Sequence, residues 1–212
     1  DKSNRNNRRN MTADELRAQS QRLEEQVRKQ YWVDKVQIDV LELEVGWETI
    51  RMTFDDRVIE YHASYVGEEP ISTLIDAADA LGGCYNGYLE DKCFVQWQKE
   101  PGCIEITFYR KEDKDYIEMT IESDDPEIDG YSAYFDYNVF KDAVIKASLT
   151  VLKKYGIIGY SLGWNKTYHT FPVHQLLALL GIKSSISTES DERYSSVFEE
   201  LEILKNTLIQ AE

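Results

Sequence analysis

The sequence predicts an α+β fold in which an antiparallel β-meander sheet of about six or seven strands packs against helices, with helices at both termini. Two observations lead to this prediction. Short apolar and polar alternations are separated by turns of a few residues, and strands joined so closely must run antiparallel. Segments with apolar residues at helical spacing flank and interrupt these alternations.

The first ordered element is predicted to begin at Thr12. Residues 1–10 are polar and basic, which is typical of a disordered or vector-derived leader. Thr12 and Glu15 have the spacing of a capping box, so a helix is predicted over 12–31. Its apolar stripe consists of Leu16, Leu23 and Val27. Residues 11–212 are predicted to form a single domain.

The first strands follow this helix. Residues 36–45 alternate, but the phase slips between Val40 and Leu41, which predicts a β-bulge. Two further strands are predicted on either side of a turn at residues 55–56. A helix is then predicted from Pro70, a residue favoured in the first helical turn, to the Gly82–Gly83 stop signal.

The second half of the chain repeats this order. Strands are predicted around turns at 100–102 and 111–114, followed by a last strand at 131–137. The strongest helical stripe runs from Val139 to Tyr155 and is predicted to end at Gly156. An irregular loop, a helix near Pro172 and a terminal helix over 191–210 complete the chain. The two terminal helices can pair with each other, pack on the sheet or form a homodimer contact.

Composition limits the partners. The chain carries a formal net charge of -15, with 30% charged and 42% hydrophobic residues. Such a charge repels nucleic-acid phosphates and anionic lipids, so no direct nucleic-acid or membrane binding is expected, whereas a basic protein partner is favoured. No apolar run approaches the roughly 20 residues that span a bilayer, and a cytoplasmic location is expected.

The cysteines indicate neither a metal centre nor a disulfide framework. The three residues, Cys84, Cys93 and Cys103, lack the paired spacing of a zinc site. Cys93 and Cys103 lie at different distances from the turn between their strands, too far apart for a disulfide bond. No cofactor is predicted.

One segment has the form of a nucleophile elbow. Gly159, Ser161 and Gly163 match the Gly-x-Ser-x-Gly pattern of serine hydrolases, which places the serine on a strand-to-helix turn. A helix precedes this segment, and no later strand is available to carry an acid and a histidine. A glycine-punctuated turn is therefore favoured, and a serine hydrolase using Ser161 is kept as an alternative.

Two further patterns could carry chemistry. Residues 125–136 have the spacing of a calcium loop, but a strand precedes them and Pro126 and Glu127 depart from the ligand pattern. His169 and His174 flank a proline and cannot share one helical turn, as a zinc motif would require. His62, on a strand, is predicted to be a structural residue.

The proposed binding residues are aromatic and acidic. Aromatic rings supply contact area at low entropic cost, and acidic loops steer basic partners. In the loop after the main helix these rings could alternatively cap the core. The predicted partner-binding residues are Tyr160, Trp164, Tyr168, His169, Asp124, Asp125, Glu127 and Asp129.

The sequence thus favours a non-catalytic, acidic protein-binding module. A bacterial immunity or inhibitor protein that neutralises a basic toxin or nuclease has this profile. The alternative from another class is a small-molecule sensor that uses a tyrosine-rich pocket.

Overall fold

The computed structural model describes residues 12–110, 113–164, 171–182 and 205. The chain divides into two compact units, residues 1–32 and residues 33–212. The predicted terminal helix at 191–210 lies outside the described residues, apart from Lys205.

The described part of the first unit is mainly one helix, α1 (Ala13–Gln30). Its predicted capping box is confirmed, since the Thr12 hydroxyl accepts from the Glu15 amide and the Glu15 carboxylate accepts from the Thr12 amide. The stripe residues Leu16 and Leu23 are 53% and 54% exposed, and no residue of α1 is buried. Within the helix, the capping box and the Glu25–Lys29 ion pair contribute to its stability.

The second unit begins with a three-stranded antiparallel meander: β1 (Val36–Glu44), β2 (Trp47–Phe54) and β3 (Arg57–Ser64). The predicted bulge is confirmed, because the register between β1 and β2 shifts between Val40 and Glu42. Every second residue of β2 is buried, as the alternation predicts. Helix α2 (Pro70–Gly82) follows and ends at Gly83, which adopts the left-handed conformation.

A second antiparallel sheet has the order β4-β5-β6-β7. Its strands are β4 (Lys92–Gln98), β5 (Cys103–Tyr109), β6 (Tyr116–Ser123) and β7 (Ser132–Asp136). Large buried side chains, including Trp97, Phe108 and Phe135, join this sheet to the rest of the core. Burial of such side chains is the main stabilising contribution to the unit.

Helix α3 (Tyr137–Gly163) follows β7 directly and is capped by Asp136, whose carboxylate accepts from the amides of Asn138 and Val139. The helix was predicted to end at Gly156. Gly156 does leave helical geometry, with φ 68° and ψ 177°, but the chain resumes a helix after this kink. The prediction of an irregular loop directly after Gly156 is therefore wrong. Helix α4 (Val173–Leu179) begins where Pro172 predicts it.

The predicted fold class, α+β with antiparallel meanders and helices, is confirmed. The prediction of a single sheet is not, because the strands divide into sheets of three and four. Helix α2 follows β3 and precedes β4 in the chain, and it contacts both β2 and β4. The helix therefore separates the first meander from the second. In the described parts of the chain, no helix is both long enough and apolar enough to span a membrane.

Candidate functional site

Three segments of the second unit meet at Gly46, in the turn between β1 and β2. The Gly46 amide donates to the carbonyl of Gly163 at the end of α3, at 2.8 Å. The Gly46 carbonyl accepts from the amide of Tyr65, which follows β3, also at 2.8 Å. Gly46 has φ +81°, and a Cβ there would lie 3.1 Å from the Tyr65 ring. Glycine therefore lets the turn, the end of α3 and the β3–α2 connection approach closely.

Beneath this junction lies a buried polar network formed by Glu48, Glu69, Ser72, Tyr160 and the amide of Ile71. The Glu48 carboxyl accepts from the Ile71 amide through Oε1 and from the Tyr160 hydroxyl through Oε2, both at 3.2 Å. The Ser72 hydroxyl donates to Glu69 Oε2 at 3.0 Å and lies 3.3 Å from the Tyr160 hydroxyl. The network connects β2, the first turn of α2 and the second part of α3.

Burial dominates the electrostatics of this network. Glu48 is fully buried and Glu69 is 3% exposed. Removal from water raises the pKa of Glu48 to about 8, an effect that the bonds from Ile71 and Tyr160 oppose and the nearby Glu69 charge reinforces. Burial also raises the pKa of Tyr160, again with the Glu48 and Glu69 charges adding to the effect. Burial therefore favours the protonated form of Glu48, which avoids an uncompensated buried charge in the network.

Sequence reasoning missed Glu48. The signal was available, because Glu48 has the same strand phase as Ile50, Met52 and Phe54, all of which are buried. An acid in the inward phase of an otherwise apolar strand predicts either a shifted pKa or a buried partner. Glu69 carried a weaker signal, since its position directly before Pro70 at the start of α2 gives no indication of burial.

The predicted aromatic binding residues Tyr160 and Trp164 are both 0% exposed. The Tyr160 ring contacts Phe171 edge to face, with ring centroids 5.3 Å apart. The alternative that these rings belong to the core therefore applies to both, and in this conformation neither offers surface to a partner. Helical spacing after Gly156 turns them inward, whereas the prediction had placed them in a loop. Tyr168 and His169 lie outside the described residues.

Above the network, the same junction carries exposed apolar side chains, here called the Gly46 patch. Its members come from the β1–β2 turn, the β3–α2 connection and the second part of α3. They are Val45 (72% exposed), Tyr65 (43%), Val66 (57%), Ile158 (75%) and Leu162 (70%). Leu162 precedes Gly163 in the chain and Val45 precedes Gly46, so the Gly46–Gly163 bond brings the backbones of these two residues close together. Ile158 lies one helical turn before Leu162 on the same face of α3.

The acidic binding residues lie in the connection between β6 and β7. Asp124, Glu127 and Asp129 are exposed and Asp125 is partly buried. Three of the carboxylates also hold the backbone: Asp124 accepts from the amide of Cys103, Asp125 from that of Glu127, and Asp129 from that of Ser123. Asp124 and Asp125 border a cleft of about 200 Å³ with Tyr61 and Lys99. The loop is thus an ordered, negatively charged surface, and its role in binding stays a prediction.

The patterns considered for chemistry have structural roles in this fold. Ser161 lies within α3 and its hydroxyl donates to the Ile157 carbonyl at 3.0 Å, so the strand-to-helix turn of a nucleophile elbow is not formed here. The last position of the calcium-like pattern, Asp136, caps α3. Within the described ranges, no three histidine, cysteine or acidic side chains are placed to hold a metal ion together.

His62 has the structural role predicted for it. Its ring stacks on Trp47 with centroids 4.8 Å apart and planes 7° apart. Its Nδ1 lies 2.6 Å from the Thr49 hydroxyl on the neighbouring strand. Both contacts are cross-strand interactions on the outer face of the first sheet, and such pairs stabilise sheets.

Comparison of the chain with protein-family models, curated proteins and solved structures found no match in any of the three sets.

Proposed function

We propose that this protein is a non-catalytic protein-binding module that contacts its partner through the Gly46 patch. The observation that carries the proposal is the convergence of large, exposed apolar side chains from separate segments at one junction. Contiguous exposed apolar surface is uncommon on monomeric proteins and typically marks an interaction site. A partner that covers Val45, Ile158 and Leu162 would remove this surface from water.

The buried Glu48 network supports the same proposal. It ties together β2, α2 and α3, the elements that carry or adjoin the patch residues, which supports a contact surface held in one arrangement before binding. A pre-ordered surface loses less conformational entropy on association than a mobile one. Because Glu48 and Glu69 are both buried, this proposal assigns the network a positioning role.

Charge favours a basic partner. The net charge of -15 and the exposed acids Glu42 and Glu44 beside the β1–β2 turn give a negative surrounding to the apolar patch. The acidic connection with Asp124 and Glu127 adds to the long-range field. Such a field raises the rate of association with a positively charged protein.

Site-specific photo-cross-linking tests the patch. A benzophenone side chain is introduced at Val45 or at Leu162, with Phe94, which is 64% exposed on β4, as the matched control. We expect both patch positions to give the same cross-linked protein in cells and the Phe94 position not to give it. Leu162→Asp in the Val45 cross-linking variant should abolish that product. Equal labelling from all three positions would contradict the proposal.

Neutralising the acidic connection tests the electrostatic part separately. Asp124→Asn retains the acceptor for the Cys103 amide, and Glu127→Gln leaves the Glu127 carbonyl that accepts from Arg57. With the cross-linked partner in hand, the double variant should bind more slowly at low salt with little change in dissociation rate. An unchanged association rate would show that these acids do not steer the partner.

A further inference from the structure

The outer edge of β1 is a second surface that the Gly46 patch does not include. Strand β1 is at the end of the first sheet and pairs with β2 alone. The amide of Asp55 donates to the carbonyl of Lys35, so in the alternating antiparallel pattern Lys35, Gln37 and Asp39 direct their backbone groups toward β2. Val36, Ile38 and Val40 direct theirs away from it. Among the described residues, nothing hydrogen-bonds to these outward groups.

A groove of about 560 Å³ runs beside this edge. It is lined by every residue from 34 to 40, so it follows the strand backbone rather than one face of the sheet. Its other wall is the stripe of α3 that contains Val139, Ala143, Ala147 and Thr150. Ala143 and Ala147 are buried there, and Asp142, Lys146 and Thr150 form the exposed part of this wall. The strand segment is about 20 Å long and the helical stripe about 17 Å, which suits one added strand of five or six residues.

The side chains of β1 are complementary to a second, antiparallel copy of themselves. Residues whose backbone groups point away from β2 must pair with residues of the same kind in the second copy. Aligning Val36 with Ile38 of the second copy meets this requirement. This alignment places Lys35 opposite Asp39 of the second copy and Asp39 opposite its Lys35. It also places Gln37 opposite itself on the two-fold axis. Lys35 and Gln37 are exposed and Asp39 is partly so. Gln37 Nε2 donates to Asp39 Oδ2 at 2.7 Å, which leaves Asp39 Oδ1 for Lys35 of the second copy.

We propose that the occupant of this groove is β1 of a second copy of this chain, forming a two-fold dimer with a continuous six-stranded sheet. Edge pairing satisfies the outward backbone groups of Val36 and Ile38 in both copies. The reciprocal Lys35–Asp39 pairs select the register. Like net charge disfavours any dimer, so local complementarity at the contact is needed to offset the repulsion of two acidic chains. This inference does not depend on the proposed partner at the Gly46 patch.

Charge reversal tests the register by sedimentation equilibrium of the full chain. Lys35→Glu places like charges opposite each other twice and should weaken the dimer by about tenfold. The double change Lys35→Asp with Asp39→Lys keeps the net charge of the wild type and should restore the dimer. Lys92→Glu, an equal charge change on an exposed residue of β4, is the control and should weaken the dimer less than Lys35→Glu.

A disulfide bond tests the two-fold axis. In a Cys84→Ser background, Gln37→Cys should form a disulfide-linked dimer on mild oxidation, because residues directly opposite in this position lie about 4.5 Å apart at Cα. Thr53→Cys, next to Gln37 on β2, would lie about 14 Å from its copy and should not cross-link. A chain that remains monomeric at all concentrations overturns the proposal. So does a dimer that Lys35→Glu leaves unchanged and that Gln37→Cys fails to cross-link.

Discussion

Replacing Glu48 with glutamine should remove the pH dependence that the Glu48 carboxyl gives to the free energy of unfolding. Glu48 has a pKa of about 8 in the folded protein and 4.5 when free of the fold. The folded state therefore holds its proton more tightly than the unfolded state. The stability that this group contributes is fully present below about pH 4.5 and is lost as pH rises toward 8, because unfolding increasingly releases that proton.

The size of the effect follows from the same two values. Each pH unit between 4.5 and 8 costs about 1.36 kcal/mol, so the whole interval costs about 5 kcal/mol. That is a large part of the roughly 5–15 kcal/mol by which domains are stable. Glutamine has nearly the shape of a neutral glutamic acid. Its oxygen can accept from the Ile71 amide, and its nitrogen can donate to the Tyr160 oxygen when the Tyr160 hydroxyl directs its own proton to Ser72 Oγ, 3.3 Å away.

Urea unfolding followed by tryptophan fluorescence measures the difference. The free energies of unfolding of the wild type and Glu48→Gln should be similar near about pH 5 and diverge as pH rises, with the variant more stable by several kcal/mol near about pH 9. Asp76, whose pKa burial raises to about 6, is present in both proteins and cancels from the difference.

Glu44→Gln, an exposed change on β1, is the control for loss of a negative charge and should follow the wild-type curve. Parallel curves for the wild type and Glu48→Gln would refute the reasoning, since they would mean that folding does not change the affinity of Glu48 for its proton.

Two further changes test the elements around the site. Gly46→Ala forces a side chain into the left-handed region and to within 3.1 Å of the Tyr65 ring, whereas Gly130→Ala, with φ +73° and no atom within 4 Å, meets only the backbone cost. Gly46→Ala should therefore lower the melting temperature more than Gly130→Ala; equal losses would show that the Tyr65 contact is unimportant. Asp136→Ala removes the acceptor for the first amides of α3 and should lower the free energy of unfolding in urea by about 1 kcal/mol. Asp136→Asn keeps an acceptor oxygen and should retain most of the wild-type stability.

Local patterns predicted most of the elements because their signals lie in neighbouring residues. The phase slip after Val40 gave the bulge, and Pro70 with Gly83 gave the limits of α2. Gly156 predicts a stop because a glycine directly after the last apolar position ends many helices, but packing of Tyr160 and Trp164 in the core offsets the cost of the kink.

The candidate site was harder to predict because it is made of contacts between distant segments. Glu48 and Tyr160 are separated by more than half the chain, and no spacing rule connects them. Alternation assigns each residue to a face of its strand but does not say which strands share a sheet. For the same reason the Gly46 patch could not be predicted, since its members are exposed apolar residues that look alike until the Gly46–Gly163 bond brings them together.

The bulge in β1 places one additional residue, Leu41, on the strand that leads to Gly46. A bulge bends a strand and increases its twist, so the last residues of β1 turn toward α3 instead of continuing straight. Leu41 is 36% exposed, which means that many side chains could replace it while the residue itself must remain. Deleting or duplicating that single position would change the direction in which the tip of the hairpin points, and with it the position of Val45 and Gly46.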